Sequence, residues 1–482
     1  MTVLHLAAEC APFAKVGGLA DVVGALPGAL AGLGVQSAGL MPLYGGPEGA
    51  VATKAGPLAR VAAGEIRYGE KPLAYAIYRA EREDGAPLFL LHQPEHFGAE
   101  GVYFGPGNLP FENADDRFPV FQLAALDWLA AGEGFSPDVL HLHDHHVGFV
   151  PALLKHDARF SSLATVPTVF TVHSADHQGW APEAVWKNMG APEVPSEAVR
   201  LGGTLNSMKA ALRYADAVTT VSPSYAQELQ ADDEMAHGLA HEFRAAADRF
   251  TGIVNGVDTS EWDPATDRHL PAPFSAADLS GKAETQRAVR AELGVDARGP
   301  LLTFVGRLMR EKGAEILPGA LARILEETDA RIALLGSGAP EYEAQMRRLA
   351  SGAEASRLSV TLAFDNALAH RLYAAGDFFL MPSRSEPCGL GQLYAMGYGT
   401  PPIVHAVGGL RDTVRPWDGE AGVGFAFDAF TEDAFVDAVR RALDVFAAPE
   451  AYRRLQHNGM AADHSWAASA SAYVHLYNAL GA

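Results

Sequence analysis

Cysteine is almost missing: Cys10 and Cys388, far apart in 482 residues, are the whole complement and form no CxxC pair. That excludes a disulfide framework and a cysteine zinc site, and it fits a reducing cytoplasm. Positive charge is scarce as well. Thirty-seven Lys and Arg face 58 Asp and Glu, a net of -21, so nucleic acid and anionic lipid are repelled over long range. Any anionic ligand must be held by a local cationic pocket. Long apolar runs are lacking too: the charge-free stretch 22–44 carries five Gly, two Pro, Gln36 and Ser37, and it reads as a helix, a turn and a strand. Met1 leads directly into Thr2-Val3-Leu4-His5-Leu6 without a basic segment, so no signal peptide is expected. Internal repeats and low-complexity segments are absent. The glycine fingerprint of dinucleotide enzymes is only approached, at Gly336-Ser337-Gly338 and Gly389-Leu390-Gly391, which disfavours a nicotinamide oxidoreductase.

What is present is an ordinary globular composition, 48% hydrophobic and 20% charged, long enough for two or three domains. Strand-length apolar runs alternate with helical patterns at Val3–Ala7, Val139–Leu142, Val169–Val172, Ala217–Val221, Leu301–Val305, Ile332–Leu335, Phe378–Met381 and Ile403–Val407. Unbroken apolarity implies strands buried on both faces, and the intervening helices imply parallel sheets with right-handed crossovers. The fold class is therefore α/β. A stretch rich in Pro, Ala and Asp, 264–300, precedes a fresh strand at Leu301, placing a boundary near residue 255. Two doubly wound domains facing across a cleft are expected, with ligands at strand C-terminal ends.

Four passages carry candidate chemistry. Lys15-Val16-Gly17-Gly18-Leu19-Ala20-Asp21 follows the first strand, and its glycines allow backbone N–H groups to approach an anion beside Lys15. His141, His143, Asp144, His145 and His146 resemble a metal cluster, but the better reading leaves the first two on a strand and brings Asp144 out at its end; His173 ends another strand in the same way. Arg307 and Lys312 suit a diphosphate leaving group. Ser383 to Tyr394 places Glu386 and Cys388 before a glycine-bearing turn and a helix starting near Leu390, with a second loop at Gly408-Gly409. Taken singly, the two glycine-bearing passages also fit plain strand-to-helix turns, Arg307 and Lys312 a solvated basic pair, and His173 a structural residue.

Together these residues resemble the bacterial glycogen synthases and plant starch synthases, ADP-glucose-dependent glycosyltransferases of the GT-B fold. The resemblance runs nearly end to end, through Lys15–Pro27, His143-Asp144, Phe170–His173, Val221–Tyr225, Asn255–Asp258, Val305–Arg307, Lys312-Gly313 and Glu386–Leu390. It implies an acceptor-side Rossmann-like domain over 1–254, a nucleotide-sugar domain over 255–464, and a helix over 465–482 returning to the first. It implies that Lys15, Gly17 and Gly18 meet the donor diphosphate, that Asp21 and Asn255 lie near the nucleoside, and that Phe364 stacks on adenine. Asp144, His173 and Glu386 would contact the glucose, and Arg307 and Lys312 the phosphates. Cys388, Gly389, Leu390 and Gly391 would line the donor pocket, Cys388 without acting as a nucleophile. The family's retaining, same-face transfer needs no enzymatic nucleophile and no cofactor. Without an Asp-x-Asp triplet no metal is implied. Glycogen or another α-1,4-glucan is the expected acceptor, with neither nucleic acid nor membrane as partner. A UDP-glucose enzyme and a catalytically silent glucan-binding protein are the competing readings. Ser385, Gly391, His145, Ser174 and His177 depart from the family's usual Phe, Thr, Trp, Asn and Tyr, and the segment 111–118 departs from its usual Asp-Asn pattern.

Overall fold

The computed structural model describes residues 1–132, 134–352 and 356–481. They form two compact units. The first contains 1–221, 226–256 and the C-terminal segment from Trp466; the second contains Ser222–Tyr225 and Val257–Ser465. Residue 482, at the end of the expected C-terminal helix, lies outside the described residues.

In the first unit a nine-stranded sheet runs in the order Phe250–Gly252, Ala217–Thr220, Thr168–Val172, Val139–His143, Thr2–Leu6, Gln36–Pro42, Leu88–His92, Lys71–Ala80, Ala59–Tyr68. The first seven are mutually parallel, and the last two join antiparallel. The expectation of purely parallel sheets missed this hairpin. Residues 59–68 show why: most are exposed or half-buried, so this edge strand lacks the apolar run of a doubly buried one. The charge-free stretch 22–44 resolves into the rest of helix Gly18–Gly32 and the strand Gln36–Pro42. Helix Trp466–Ala479 buries Trp466, Ala470, Tyr473 and Tyr477 against Val3, Val22, Leu26, Leu30 and Val139 of this unit.

The second unit holds a parallel six-stranded sheet ordered Leu358–Thr361, Arg331–Leu335, Leu301–Val305, Phe378–Met381, Pro402–His405, Phe425–Phe427. Alternate residues feed two cores: Leu302, Ile332, Phe378 and Leu380 pack on one face, and Leu301, Ala333, Phe379 and Met381 on the other. Strands covered on both faces need apolar side chains at successive positions, which is why these runs do not alternate.

The stretch 264–300 is not merely a linker, because it contains helix Ser280–Leu293, which packs Val289 into the second core. Lys282 on this helix is buried, and its ammonium donates to Ala374 O at 2.7 Å, Tyr398 O at 3.1 Å and Thr400 Oγ1 at 2.6 Å. Lys282→Leu orphans these acceptors. It is expected to cost about 3 kcal/mol and to lower the second unit's melting temperature by roughly 5–10 °C in a thermal melt, without touching the candidate site.

Candidate functional site

Three adjacent parallel strands of the first unit, Thr2–Leu6, Val139–His143 and Thr168–Val172, end on the same edge of the sheet. That edge delivers Glu9, Asp144 and His173, as expected for ligand-bearing loops at strand C-termini. Asp144 is a non-glycine residue at φ 59° and ψ -179°, a conformation that costs on the order of 1–3 kcal/mol. Its Oδ1 accepts the His173 backbone N–H at 2.7 Å. Asp144 is buried, and burial pushes its carboxyl up to about 7, against the opposing pull of the His173 and Ser174 amides.

The glycine loop holds an anion, but the chain supplies it. Glu9 Oε2 accepts the N–H groups of Val16 and Gly17 at 2.5 and 2.9 Å, and its other oxygen accepts the Tyr103 hydroxyl. Glu9, which no sequence motif singles out, thus occupies amides of the loop that the family resemblance assigns to a phosphate. A carboxylate between a buried strand and a glycine loop was the available signal. Gly17 and Gly18, exposed and facing open space, start helix Gly18–Gly32, and Lys15 pairs with Asp21 at 2.6 Å. Asn255 is buried with its Oδ1 lacking a partner among the described residues, and His145 Nδ1 is likewise unpaired.

His141 and His143 sit on their strand as expected, and His145 begins a separate turn, His145–Val147. His5, which the sequence reading did not single out, joins the first two to make a buried trio with ligand atoms within 4.8 Å of one another. All six ring nitrogens are engaged: His5 with His143 and Ser37, His141 with Tyr477 and Thr171, His143 with His5 and His173. The rings of His141 and His143 are stacked at 4.2 Å, an arrangement that suits neutral imidazoles better than convergent ligation. Burial holds His5 down to about 3 and His141 and His143 well below the usual histidine range.

A cleft of about 200 Å³ in the same unit is lined by Tyr103, Asp115, Phe118, Gln122, His145 and Trp180. Trp180 is half exposed, and the His145 and His177 rings lie 6.4 Å apart.

In the second unit, Glu386 is buried and its carboxylate is held by two side chains. Lys312 Nζ donates to its two oxygens at 2.8 and 2.6 Å, and Ser383 Oγ donates at 2.9 Å. Gly313, at φ 79°, lets this turn pass so close to Pro382 that a Cβ would fall 2.0 Å from the Pro382 carbonyl. Gly408-Gly409, expected as a loop, instead begins the helix Gly408–Thr413 and closes on the same passage: Gly409 N donates to Glu386 O at 3.0 Å, and a Cβ there would meet Cys388 O at 2.1 Å. Lys312 is thus paired with Glu386. Arg307 is largely exposed and pairs with Glu311 at 3.0 Å.

Cys388 is buried, and neither cysteine forms a disulfide. Gly389 takes φ 74°, Leu390 caps helix Gly391–Gly397, and Gly391 is helical, with Tyr373 and Phe379 3.2–3.3 Å from where a Cβ would sit. A threonine at 391 would have to displace one of those rings. Phe364 stands 93% exposed beyond the strand Leu358–Thr361, just before Asp365 caps helix Asn366–Ala375.

Residues 2–245 match the family model for the starch synthase catalytic domain, and residues 285–460 match the glycosyl transferases group 1 model. A glycogen synthase of Anaeromyxobacter sp. is 43% identical over the full length of both chains, and one of Streptococcus equi subsp. equi is 38% identical over the full length of both. The catalytic domain of starch synthase IV from Arabidopsis thaliana, solved with ADP and acarbose, is 33% identical at a TM-score of 0.86 and covers 99% of each chain. Sucrose-phosphate synthase from Thermosynechococcus elongatus, 21% identical at a TM-score of 0.60 over 100% of this chain and 99% of its own, shares the fold. With two parallel-sheet α/β units, both family models in order and full-length relatives at this identity, the chain belongs to the glycogen and starch synthase family of GT-B glycosyltransferases.

Proposed function

We propose that the chain is a glycogen synthase, moving glucose from ADP-glucose to the non-reducing end of an α-1,4-glucan with retention of configuration. The observation that carries this is Asp144: a buried carboxylate kept in a costly backbone conformation and hydrogen-bonded to His173 N. Strain of that kind persists where surrounding structure enforces it, and it clusters at sites of chemistry. Relatives named glycogen synthase and a neighbour solved with ADP and acarbose support the choice of donor and acceptor.

In this reading Asp144 and His173 bind the glucose, and Glu386 orients it. Arg307 and Lys312 neutralise the departing diphosphate, doing the electrostatic work a divalent cation does elsewhere. Lys312 has three N–H donors, of which two reach Glu386, leaving one for a phosphate oxygen. Lys15 and the helix start at Gly18 face the diphosphate, Gly17 shaping the loop with its own N–H held by Glu9, and Asp21 and Asn255 serve the nucleoside, Asn255 through its unpaired Oδ1. Cys388, Gly389, Leu390 and Gly391 shape the donor pocket. Attack by the acceptor hydroxyl on the face the diphosphate leaves, with that diphosphate taking the proton, requires no enzymatic nucleophile. The aromatic and carboxylate lining of the Tyr103–Trp180 cleft suits a glucan chain. Two buried cysteines outside any disulfide favour a cytoplasmic setting, and no helix among the described residues is long and apolar enough to cross a membrane.

Incorporation of labelled glucose into glycogen, from ADP-glucose and in parallel from UDP-glucose, tests the reading. A kcat/KM at least tenfold higher with ADP-glucose is expected. Preference for UDP-glucose would reassign the donor, and glycogen binding without incorporation from either would leave a silent binding protein. Phe364 gives a separate check on adenine. Because its ring is almost fully exposed, Phe364→Ala is expected to leave the melting temperature unchanged while raising KM for the donor roughly tenfold at near-parent kcat, the scale of one base–aromatic stack.

A further inference from the structure

A line of hydrogen bonds runs through the interior of the first unit and surfaces at His173. Ser37 Oγ lies 3.0 Å from His5 Nε2, His5 Nδ1 lies 3.1 Å from His143 Nε2, and His143 Nδ1 lies 3.0 Å from His173 Nε2. Ser37, His5 and His143 are buried, whereas His173 is only partly so. The His141 ring, 4.8 Å from His5 and 4.2 Å from His143, braces both planes, and is itself fixed by Tyr477 and Thr171.

A neutral imidazole has one donor and one acceptor nitrogen. Three such rings in series satisfy all three links only if every hydrogen bond points the same way. Ser37 decides which way. Its hydroxyl has no second partner among the described residues, so accepting from His5 would strand a buried O–H, whereas donating to His5 Nε2 leaves only a spare lone pair. His5 then donates from Nδ1, His143 donates from Nδ1, and His173 receives at Nε2. Burial keeps His5, His143 and His173 neutral, as this pattern requires.

We propose that the buried chain Ser37–His5–His143 fixes His173 as its Nδ1–H tautomer, so that His173 meets substrate as a hydrogen-bond donor, and that His5 and His143 are positioning residues for the transfer. The kinetic half rests on the reading above that His173 binds the glucose; the tautomer does not. His143→Asn keeps a side-chain amide donor near the position of Nδ1, whereas His143→Leu severs the link, and Ser37→Ala removes only the hydroxyl that sets direction.

Long-range proton–nitrogen correlation spectra of the full chain labelled with ¹⁵N-histidine, with His173 assigned through His173→Asn, read the tautomer directly. Nδ1–H is expected in the parent and in His143→Asn, and a mixture in Ser37→Ala and His143→Leu. In the transfer assay, His143→Leu is expected to lose roughly ten- to a hundredfold in kcat with KM within about threefold, and His143→Asn to recover most of it. Nε2–H in the parent, or an unchanged Nδ1–H form in folded His143→Leu, would overturn the chain. If the tautomer shifts as stated but His173→Ala keeps parent kcat, the positioning role falls and the reading of His173 falls with it.

Discussion

Lys312→Ala is expected to lower kcat/KM at least about a hundredfold and to destabilise the second unit at the same time. The rate effect follows from the role proposed for Lys312: a cation beside a diphosphate that gains charge as it departs is worth on the order of 3 kcal/mol in the transition state. The stability effect follows from burial. Glu386 is the more deeply buried partner, its side chain 6% exposed, and truncating the lysine leaves the carboxylate with only Ser383 against it. Breaking one side of such a pair costs about 3–5 kcal/mol. The two effects separate in the double variant Lys312→Ala/Glu386→Gln, which removes the stranded charge: melting temperature should recover substantially, while the rate should stay well below that of Glu386→Gln alone. A single variant within threefold of the parent rate would remove Lys312 from the reaction.

Asp144→Asn separates function from stability in the opposite direction. The folded chain holds the Asp144 proton more tightly than the unfolded chain does, since burial lifts the carboxyl from 3.8 to about 7. Asp144 therefore costs stability progressively as pH rises from about 4 to about 7, by on the order of 4 kcal/mol in full. Asparagine never ionises, still offers an oxygen to His173 N, and tolerates a positive φ better than most residues. At pH 8 the variant should melt at or above the parent temperature, with the advantage vanishing near pH 4. Its kcat/KM should nevertheless fall a hundredfold or more, because the carboxylate that binds the glucose in the proposed reading has been neutralised. The parent's kcat/KM should also decline as pH drops below about 7. A destabilised variant with parent activity would make Asp144 a structural residue.

The doubly buried strands were legible because covering both faces demands unbroken apolar runs, and Leu301–Val305 and Phe378–Met381 announce themselves that way. The edge strand Ala59–Tyr68 was not, since exposure removes the pressure for apolar side chains. The places of Asp144 and His173 at strand ends of the first unit, and of Glu386 after a strand of the second, were legible in the apolar runs that precede them. Glu9 and His5 were not, because what each does depends on partners remote in sequence: Glu9 on Tyr103, and His5 on His143. The pairing of Lys312 with Glu386 was hidden for the same reason, as 74 residues separate the two. Gly391 illustrates the converse. Its departure from the family's usual threonine is visible in the sequence, but the close approach of Tyr373 and Phe379 to a Cβ at this position is not.

The stereochemistry of the new bond tests the central claim most directly. Proton NMR of glycogen or maltooligosaccharide extended by this chain from α-configured ADP-glucose should show newly formed glucosyl residues with α-1,4 anomeric signals at non-reducing ends, growing as ADP is released. New β-anomeric signals, or ADP release yielding free glucose without chain extension, would contradict the account.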